Sequence, residues 1–398
     1  MRVVKDAVYN ETYKYILEQV NNLDIFRVID DDLAPIKKLA SKFADCDKIL
    51  VLGTGGSSLG GKCLVNFQAN MSGVEPRVIF IENVDSRSFH NAIRKCNPAN
   101  TGIIVISKSG RTTETLMTFL TLCEMWKDFD YKNRAIAITE FSDNNDLRKI
   151  ANSLNMEVVE HNPKIGGRFS VFSVVGLLPA LLGNVDIDAF TKAAQKILIE
   201  VKENSEARTF SDTYEMYDKA FKNGVINQHV IMPYSDMLED YTKWAVQLIS
   251  ESLGKSGDFG ITPIRAMGTV DQHSMLQLFL GGPANKFYTI IVAKNNEPTL
   301  LIKPSICGKV IEHLKGHTIN ELMYAHAKAT IQVLKAKAPV RVLEYDEINI
   351  ATIGELMVKN FIEVLAIARL ANINPFDQPA VEESKRLALQ YLNNFQDK

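Results

Sequence analysis

The chain has 398 residues, of which 46% are hydrophobic and 23% are charged, a usage typical of a soluble globular protein large enough for two domains. Its formal net charge of -2 gives no support to the binding of nucleic acid or of an anionic membrane. The five cysteines are scattered, no apolar signal core follows Met1, and no apolar run is long enough to span a bilayer. We therefore expect a cytoplasmic protein without a disulfide framework or a thiolate metal site.

The first informative element is an apolar run at residues 48–52, which breaks into the glycine- and serine-rich residues 53–61 where helical periodicity resumes. This pattern predicts a buried parallel strand, then a turn, then a helix whose N-terminus faces an anion. Because Gly56 has no side chain, the backbone there can approach a ligand closely, and Ser57 adds a hydroxyl donor. The turn lacks both the third spaced glycine of a dinucleotide fingerprint and the Gly-Lys-Ser/Thr of a nucleotide P-loop, which argues against ATP.

A second polar turn follows the buried strand predicted at Thr101–Ile106 and precedes another helical pattern. Its hydroxyl and cationic side chains are Ser107, Lys108, Ser109, Arg111, Thr112 and Thr113. A serine- and threonine-rich helix cap would explain the same residues. Two such turns in one alternating pattern favour a phosphate monoester, because parallel sheets bind ligands at the carboxyl ends of their strands.

The order of the predicted elements indicates two rounds of strand and helix alternation. Strands are predicted near residues 48–52, 77–82, 102–107, 133–139 and 156–160, with helices between them. Helical patterns at about residues 177–221 separate these from a second round, with strands near residues 229–234, 286–293 and 339–345. No Pro-rich linker appears, so we expect two closely packed sheets.

Two segments suggest proton chemistry. Arg168 follows two glycines and precedes an apolar helix, where it could provide a fixed cation, although a lone Gly-Gly-Arg is usually a surface turn. Gln247 and Glu251 lie four residues apart on a predicted helix that ends at Gly254, so they share a face. A glutamate in the last turn opposes the helix dipole, which favours a functional role, although a solvated glutamate is the usual case.

Two further candidates lie towards the C-terminus. His273 opens a short apolar helix and, as a residue that titrates near neutral pH, is able to move a proton to or from a sugar oxygen. Residues 376–385 combine Gln378 as a possible cap, Pro379 in the first helical turn, and Lys385 about two turns later.

These segments resemble the phosphoglucose isomerase family. Gly-Gly-Arg-Phe-Ser at residues 166–170 and the segment at residues 376–385 are similar to its two diagnostic patterns. Residues 53–60, 107–115, 247–255 and 271–277 are similar to its other active-site segments, in the same order. The resemblance spans about residues 45–390. It implies an α/β fold of two doubly wound, mainly parallel-sheet sugar-isomerase domains with a C-terminal helix, one covering residues 45–183 and the other residues 1–44 and 184–398.

The resemblance also implies an activity and a role for each matching residue. It implies a homodimer without metal or organic cofactor that interconverts glucose 6-phosphate and fructose 6-phosphate. Glu251 matches the base that moves a proton between C1 and C2, and Arg168 matches the cation that stabilises the enediolate. His273 matches the histidine that opens the ring and is supplied by the neighbouring subunit. Lys385 matches the lysine at the ring oxygen. Gln247 and Gln378 match residues lining the site. The residues matching the phosphate-binding segments are Gly56, Ser57, Ser107, Lys108, Ser109 and Thr112.

The chain departs from the family pattern at three positions. Thr54 stands where an aliphatic residue is usual, and Ser109 and Arg111 stand where threonine is usual. None of these changes removes a named chemical role. The chain is also shorter than most members, which leaves the elements that wrap a dimer in doubt. Two alternatives remain open: a dual phosphoglucose and phosphomannose isomerase, and a sugar-phosphate-binding regulator. A regulator would need the phosphate turns but not Glu251, His273 and Lys385 together.

Overall fold

The computed structural model describes residues 6–294, 300–301 and 312–395. Five strands form a first sheet in the order β2-β1-β3-β4-β5, in which every neighbouring pair is parallel. The strands are β1 (Lys48–Leu52), β2 (Val78–Ile81), β3 (Thr101–Ile106), β4 (Ala135–Thr139) and β5 (Glu157–Glu160). All five lie within two residues of the strands predicted from the sequence.

Strand β1 shows why its sequence is an uninterrupted apolar run. Leu50 and Leu52 pack with helices on one face of the sheet, whereas Ile49 and Val51 pack on the opposite face. All four side chains are fully buried. A parallel strand covered by helices on both faces has no solvent side, so every position is apolar.

The second sheet has four strands in the order β7-β6-β8-β9, again parallel throughout. The strands are β6 (Gln228–Pro233), β7 (Thr262–Arg265), β8 (Lys286–Ala293) and β9 (Val340–Tyr345). The sequence patterns predicted β6, β8 and β9 but missed β7. This strand is a short edge strand of Thr-Pro-Ile-Arg, without a buried residue, so it carries neither the apolar run nor the alternation that marks a strand.

Helices cover both faces of the two sheets, so the prediction of an α/β fold with two doubly wound sheets is confirmed. In the first half of the chain they are α1 (Ala7–Asn22), α2 (Asp24–Arg27), α3 (Ala34–Ala40), α4 (Leu59–Ser72), α5 (Ser86–Ile93), α6 (Thr113–Met125), α7 (Tyr131–Arg134), α8 (Asp146–Ser153) and α9 (Val174–Leu182). In the second half they are α10 (Ile187–Glu203), α11 (Arg208–Met216), α12 (Glu239–Leu253), α13 (Val270–Ser274), α14 (Leu276–Gly281), α15 (Ile319–Lys335), α16 (Ile350–Leu370) and α17 (Glu382–Asn394).

Helix α16 is the centre of the largest core. It packs against α1, α10, α11 and α12, and most of its residues are buried. Its N-terminus is fixed by a capping box between Asn349 and Thr352. Its buried Glu363 accepts a hydrogen bond of 2.6 Å from Arg341 on β9, which pairs a carboxylate that would otherwise be costly to bury.

The C-terminal helix α17 has 13 residues, and none of them is buried. Its side chains Leu387, Tyr391 and Leu392 are all exposed. Among the described residues, no helix combines the length and the hydropathy that a membrane span requires, and no three His, Cys, Asp or Glu side chains are grouped so as to hold a metal ion.

Candidate active site

The two turns predicted to bind phosphate meet at one edge of the first sheet. Strands β1 and β3 are neighbours, and both run in the same direction into their turns. In a sheet of order 2-1-3-4-5, the helices after β1 and β3 lie on opposite faces, which opens a crevice between the two strand ends. The residues before α4 and those before α6 line this crevice.

The first turn touches the segment that carries Arg168. Gly55–Ser57 form a single 3₁₀ turn, and Gly55 adopts a φ of 59°. A Cβ atom on Gly56 would lie 2.2 Å from the carbonyl carbon of Gly167, so only glycine fits there. The Gly56 carbonyl also accepts a hydrogen bond of 3.1 Å from Ser170. Contact between the turn and the Gly167–Phe172 segment therefore fixes the distance from Ser57 to Arg168.

The second turn gathers its hydroxyl groups at the start of α6. The buried Ser107 Oγ donates to Thr112 Oγ1 at 3.0 Å, and the Arg111 backbone N–H donates to Ser109 Oγ at 3.3 Å. Gly110 has a φ of 64°, and its Cα faces the side chain of Asn145, which leaves no room for a Cβ. The turn is therefore held in one conformation with its hydroxyls grouped at the edge of the sheet.

The two helices that follow these turns lack a side-chain cap. Ser58 precedes α4 and Thr112 precedes α6, but neither hydroxyl accepts a backbone N–H of its helix. The neighbouring helices α5 and α8 are capped by Asp85 and Asn145. Uncapped N-terminal amides carry partial positive charge and remain available to a ligand. The edge is thus suited to an anion such as a phosphate group.

Lys108 is the cation that the sequence placed in this turn. Its ammonium group donates to the carbonyl of Pro163 at 2.7 Å and lies 3.5 Å from the Glu140 carboxylate. Part of its charge is therefore already balanced by Glu140. The side chain of Arg111 is exposed at the same turn.

Arg168 is a fixed and almost fully buried cation, with an exposed fraction of 2%. Its guanidinium donates to Ser252 Oγ at 2.9 Å, to Glu251 Oε2 at 3.1 Å and to Gln378 Oε1 at 3.0 Å. It also donates to the backbone carbonyls of Pro375 and Asp377. Burial lowers the pKa of Arg168 and the Glu251 carboxylate opposes that shift. An arginine nevertheless keeps its charge at neutral pH.

Glu251 and Gln247 lie on the face of α12 that is turned towards the first glycine turn. Gln247 Nε2 donates to Glu251 Oε1 at 2.9 Å, as their spacing of four residues predicts. A Cβ on Gly55 would lie 2.9 Å from Gln247 Nε2, so helix and turn are in close contact. The Glu251 side chain is 34% exposed. A partly exposed carboxylate beside a buried guanidinium is an arrangement suited to proton abstraction next to a carbonyl.

Two residues that hold this cluster were given no role in the sequence analysis. Ser252 accepts the Nε–H of Arg168, and the Lys255 ammonium contacts the Asp377 carboxylate at 3.1 Å and donates to the Asp377 carbonyl. The hydrogen bond from Lys255 holds the pKa of Asp377 below its usual value. Both residues lie in the segment at residues 247–255 that resembles a family active-site segment, but the sequence does not show their partners, which are more than 80 residues away in the chain.

Among the described residues, the remaining two predicted catalytic residues are not part of this hydrogen-bonded group. His273 is exposed on the short helix α13, and Lys385 is exposed on α17, where it pairs with Glu382 at 2.6 Å. Within the described part of the chain, neither side chain hydrogen-bonds to Arg168, Gln247, Glu251 or Gln378. The structure therefore groups Arg168, Gln247, Glu251 and Gln378 and leaves His273 and Lys385 outside that group.

Several proteins of known sequence are similar to this chain. A glucose-6-phosphate isomerase of Rubrobacter xylanophilus is 33% identical over 350 residues, which cover 84% of this chain and 80% of the relative. A glucose-6-phosphate isomerase of Campylobacter jejuni is 29% identical over 391 residues, which cover 95% of each chain.

Solved structures share the fold. A hypothetical protein of Thermus thermophilus superposes with a TM-score of 0.86 at 26% identity, covering 97% of this chain and 94% of that chain. A glucose-6-phosphate isomerase of Chlamydia trachomatis has a TM-score of 0.78 at 21% identity, covering 97% of this chain and 79% of that chain. The family model described as phosphoglucose isomerase matches residues 37–398. Because this match spans most of the sequence, the chain belongs to the phosphoglucose isomerase family.

Proposed function

We propose that this protein interconverts glucose 6-phosphate and fructose 6-phosphate by moving a proton between C1 and C2 of the open-chain sugar, a step of glycolysis and gluconeogenesis. The observation that carries the proposal is the 3.1 Å contact between the Arg168 guanidinium and the Glu251 carboxylate, beside two uncapped helix N-termini. The relatives named glucose-6-phosphate isomerase support the same reaction.

In this proposal the phosphate group of the substrate lies between the two turns. The backbone at Gly56 and the hydroxyls of Ser57, Ser107, Ser109 and Thr112 donate to its oxygens, together with the first amides of α4 and α6. Lys108 adds a positive charge at the rim. The helix termini contribute without any side-chain titration, so binding of the phosphate persists over a wide pH range.

Glu251 is the proposed base. Its carboxylate removes the proton from C2 of the aldose, the C–H electron pair forms the C1–C2 double bond, and the carbonyl electrons move to the C1 oxygen. Arg168 stabilises that oxygen in the resulting cis-enediolate. The O2 hydroxyl gives its proton to O1, the electron pair left on O2 forms the C2 carbonyl, and the electrons of the C1–C2 double bond take the proton back from Glu251 at C1. Gln378 and the Gln247 Oε1 atom, which is buried and has no hydrogen-bond partner among the described residues, are available to the sugar hydroxyls.

We infer that His273 and Lys385 open the sugar ring and that His273 comes from the second copy in a homodimer. His273 is exposed, and α13 is anchored through Asp271, whose carboxylate accepts the Met267 N–H at 2.6 Å. An anchored helix with an outward-facing histidine is able to complete a site in a neighbouring subunit. The exposed apolar side chains of α17 provide a surface for the same contact.

We propose that the dimer acts in the cytoplasm. The described cysteines Cys46, Cys63, Cys96 and Cys123 are all free thiols. Free thiols are usual in a reducing compartment, where sugar phosphates are also metabolised.

The test is an assay of the purified protein with fructose 6-phosphate and mannose 6-phosphate side by side, in which each product is detected by a coupled dehydrogenase. We expect turnover of fructose 6-phosphate. Turnover of both substrates at similar rates would indicate a dual phosphoglucose and phosphomannose isomerase. Binding of fructose 6-phosphate without any turnover would instead indicate a sugar-phosphate-binding regulator.

A further inference from the structure

A hydrogen-bond network ties the first phosphate turn to the end of the neighbouring strand β2. Glu82 follows β2 directly, and its backbone carbonyl accepts from Thr54 Oγ1 at 3.0 Å. Its carboxylate accepts from Ser58 Oγ at 2.8 Å and forms an ion pair with Lys62 in the first turn of α4. Thr54 and Ser58 flank Gly56 and Ser57 on both sides. Glu82 therefore holds both ends of the turn.

The contact with Glu82 explains why α4 begins without a cap. A serine immediately before a helix normally accepts a hydrogen bond from a backbone N–H of the first turn. Ser58 is 1% exposed, and its hydroxyl proton instead points to the Glu82 carboxylate at 2.8 Å, with the Gly55 carbonyl at 3.2 Å as the more distant acceptor. The amides of α4 therefore remain free for a ligand.

We propose that Glu82 is a positioning residue for substrate binding: it draws the Ser58 hydroxyl away from α4 and so keeps the helix N-terminus open for the substrate phosphate. This inference rests on the proposed function and extends it to a residue that does not touch the substrate.

Lys62 makes this arrangement compatible with an anionic ligand. A carboxylate at a phosphate-binding edge would repel the substrate unless its charge were balanced. The Lys62 and Glu82 side chains are 28% and 22% exposed, so their ion pair is only partly screened by solvent. A lysine in the first turn of a helix opposes the dipole, and Glu82 offsets that effect.

Variants at positions 82 and 58 separate hydrogen-bond acceptance from charge, and Ser58→Ala alone removes the hydroxyl while Glu82 is present. Glu82→Gln keeps an oxygen acceptor for Ser58, whereas Glu82→Leu removes it and frees Ser58 to cap α4. In the double variant Glu82→Leu with Ser58→Ala, no hydroxyl remains to cap the helix. Glu75→Leu is the matched control, because Glu75 precedes β2, at the opposite end of that strand from Glu82, and forms an exposed ion pair with Lys95.

The measurements are KM and kcat for fructose 6-phosphate and the dissociation constant of inorganic phosphate by calorimetry. For Glu82→Leu we expect both KM and the phosphate dissociation constant to rise by at least ~10-fold, the effect of one lost charge-assisted contact, with kcat within about threefold. We expect KM and the phosphate dissociation constant to stay within about threefold of wild type in three variants: Glu82→Gln, Ser58→Ala alone and Glu75→Leu. In the double variant both values should return to about the same range.

Three results would overturn the proposal: unchanged phosphate affinity in Glu82→Leu, an equal loss in Glu82→Gln, or no recovery in the double variant. If Glu82→Leu does not fold, a large loss of phosphate affinity in Ser58→Ala alone would overturn it, because the proposal assigns that hydroxyl no contact with the ligand. Phosphate calorimetry does not depend on turnover. A wild-type protein that binds phosphate but does not isomerise fructose 6-phosphate would contradict the proposed function while leaving the role of Glu82 testable.

Discussion

Glu251 combines a contact with a buried cation and access to solvent, which is what a proton-shuttling carboxylate needs. Its two oxygens accept from Gln247 and Arg168, and replacement by glutamine changes its size little. For Glu251→Gln we expect kcat to fall by at least ~10²-fold while KM changes by less than about threefold, because only the basicity is lost. Steady-state kinetics with fructose 6-phosphate measure both values.

The matched control for this prediction is Glu203→Gln. Glu203 is an exposed glutamate at the last position of α10, so the same substitution is made at a comparable helix terminus, where the basic residue of the last turn is the exposed Lys202. Its kinetics should equal those of wild type. A folded Glu251→Gln enzyme with near-normal turnover would remove Glu251 from the mechanism.

His229 provides a prediction about stability rather than activity. Burial lowers its pKa to about 4, and its Nε2 lies 2.8 Å from Thr289 Oγ1. Its folded-state pKa is thus below the ordinary value of 6.5, so below that pH the unfolded chain binds a proton that the folded chain excludes. Stability is therefore lost as the pH falls from about 6.5 towards 4.

The variant His229→Gln keeps a group able to hydrogen-bond to Thr289 but does not titrate. Between pH 7 and pH 5 we expect its unfolding free energy to fall by about 2 kcal/mol less than that of wild type. Urea unfolding of both proteins at the two pH values measures this difference. If the decrease is the same in both proteins, protonation of His229 does not contribute to acid unfolding.

At the level of elements, the contact between Gly56 and Gly167 joins two turns of the site. Gly56→Ala would place a methyl group 2.2 Å from the Gly167 carbonyl carbon, so the turn and the Arg168 segment must separate. We expect kcat/KM to fall by at least ~10-fold and the unfolding free energy to fall by about 1–3 kcal/mol. Kinetics and denaturant unfolding measure the two effects.

Gly257→Ala serves as the control for this change, because a Cβ there meets no atom within 4 Å. It should leave both quantities close to wild type. If Gly56→Ala behaves in the same way as Gly257→Ala, close contact between the two turns is not needed for activity.

The strands and helices differ in how well their sequences predict them. Strands β1 and β3 are covered on both faces, so nearly all of their side chains are buried and apolar, and their sequences show a continuous apolar run. The edge strand β7 depends on pairing with β6 and has no such run. The role inferred for Glu82 likewise depends on the register between β1 and β2, which places the strand end beside Ser58. Local pattern carries no information about that register.

The grouping of Arg168, Gln247, Glu251 and Gln378 was predicted from motifs in separate segments, and the structure brings these side chains together. Their chemical roles remain predictions. The chemistry of Ser252 and Lys255 was not predictable, because a serine or lysine becomes a support for the site only through its distant partners. The domain boundary near residue 183 also remains a prediction.

At the level of the whole molecule, the proposed homodimer predicts complementation between two inactive chains. Glu251→Gln and His273→Ala chains, mixed under subunit exchange, should form heterodimers with one site carrying both changes and one site carrying neither. About half of the dimers are mixed at random exchange, so activity should recover to roughly a quarter of wild type.

Heterodimer formation is verified independently with chains carrying different affinity tags. Activity that stays absent despite verified heterodimers would place His273 in the same subunit's site as Glu251. Each variant alone must remain inactive for the recovery to be meaningful.

The hydrogen bonds of Arg168 also have a consequence for the synthesis of the chain. Its guanidinium lies in the first half of the sequence, but three of its acceptors, at Pro375, Asp377 and Gln378, are added by the ribosome more than 200 residues later. Both sheets are complete in sequence by residue 345, before any of these acceptors exists. A nascent chain can therefore fold its two sheets while the buried cation is still short of partners. The hydrogen bonds of Arg168 are completed only after residue 378 has been added.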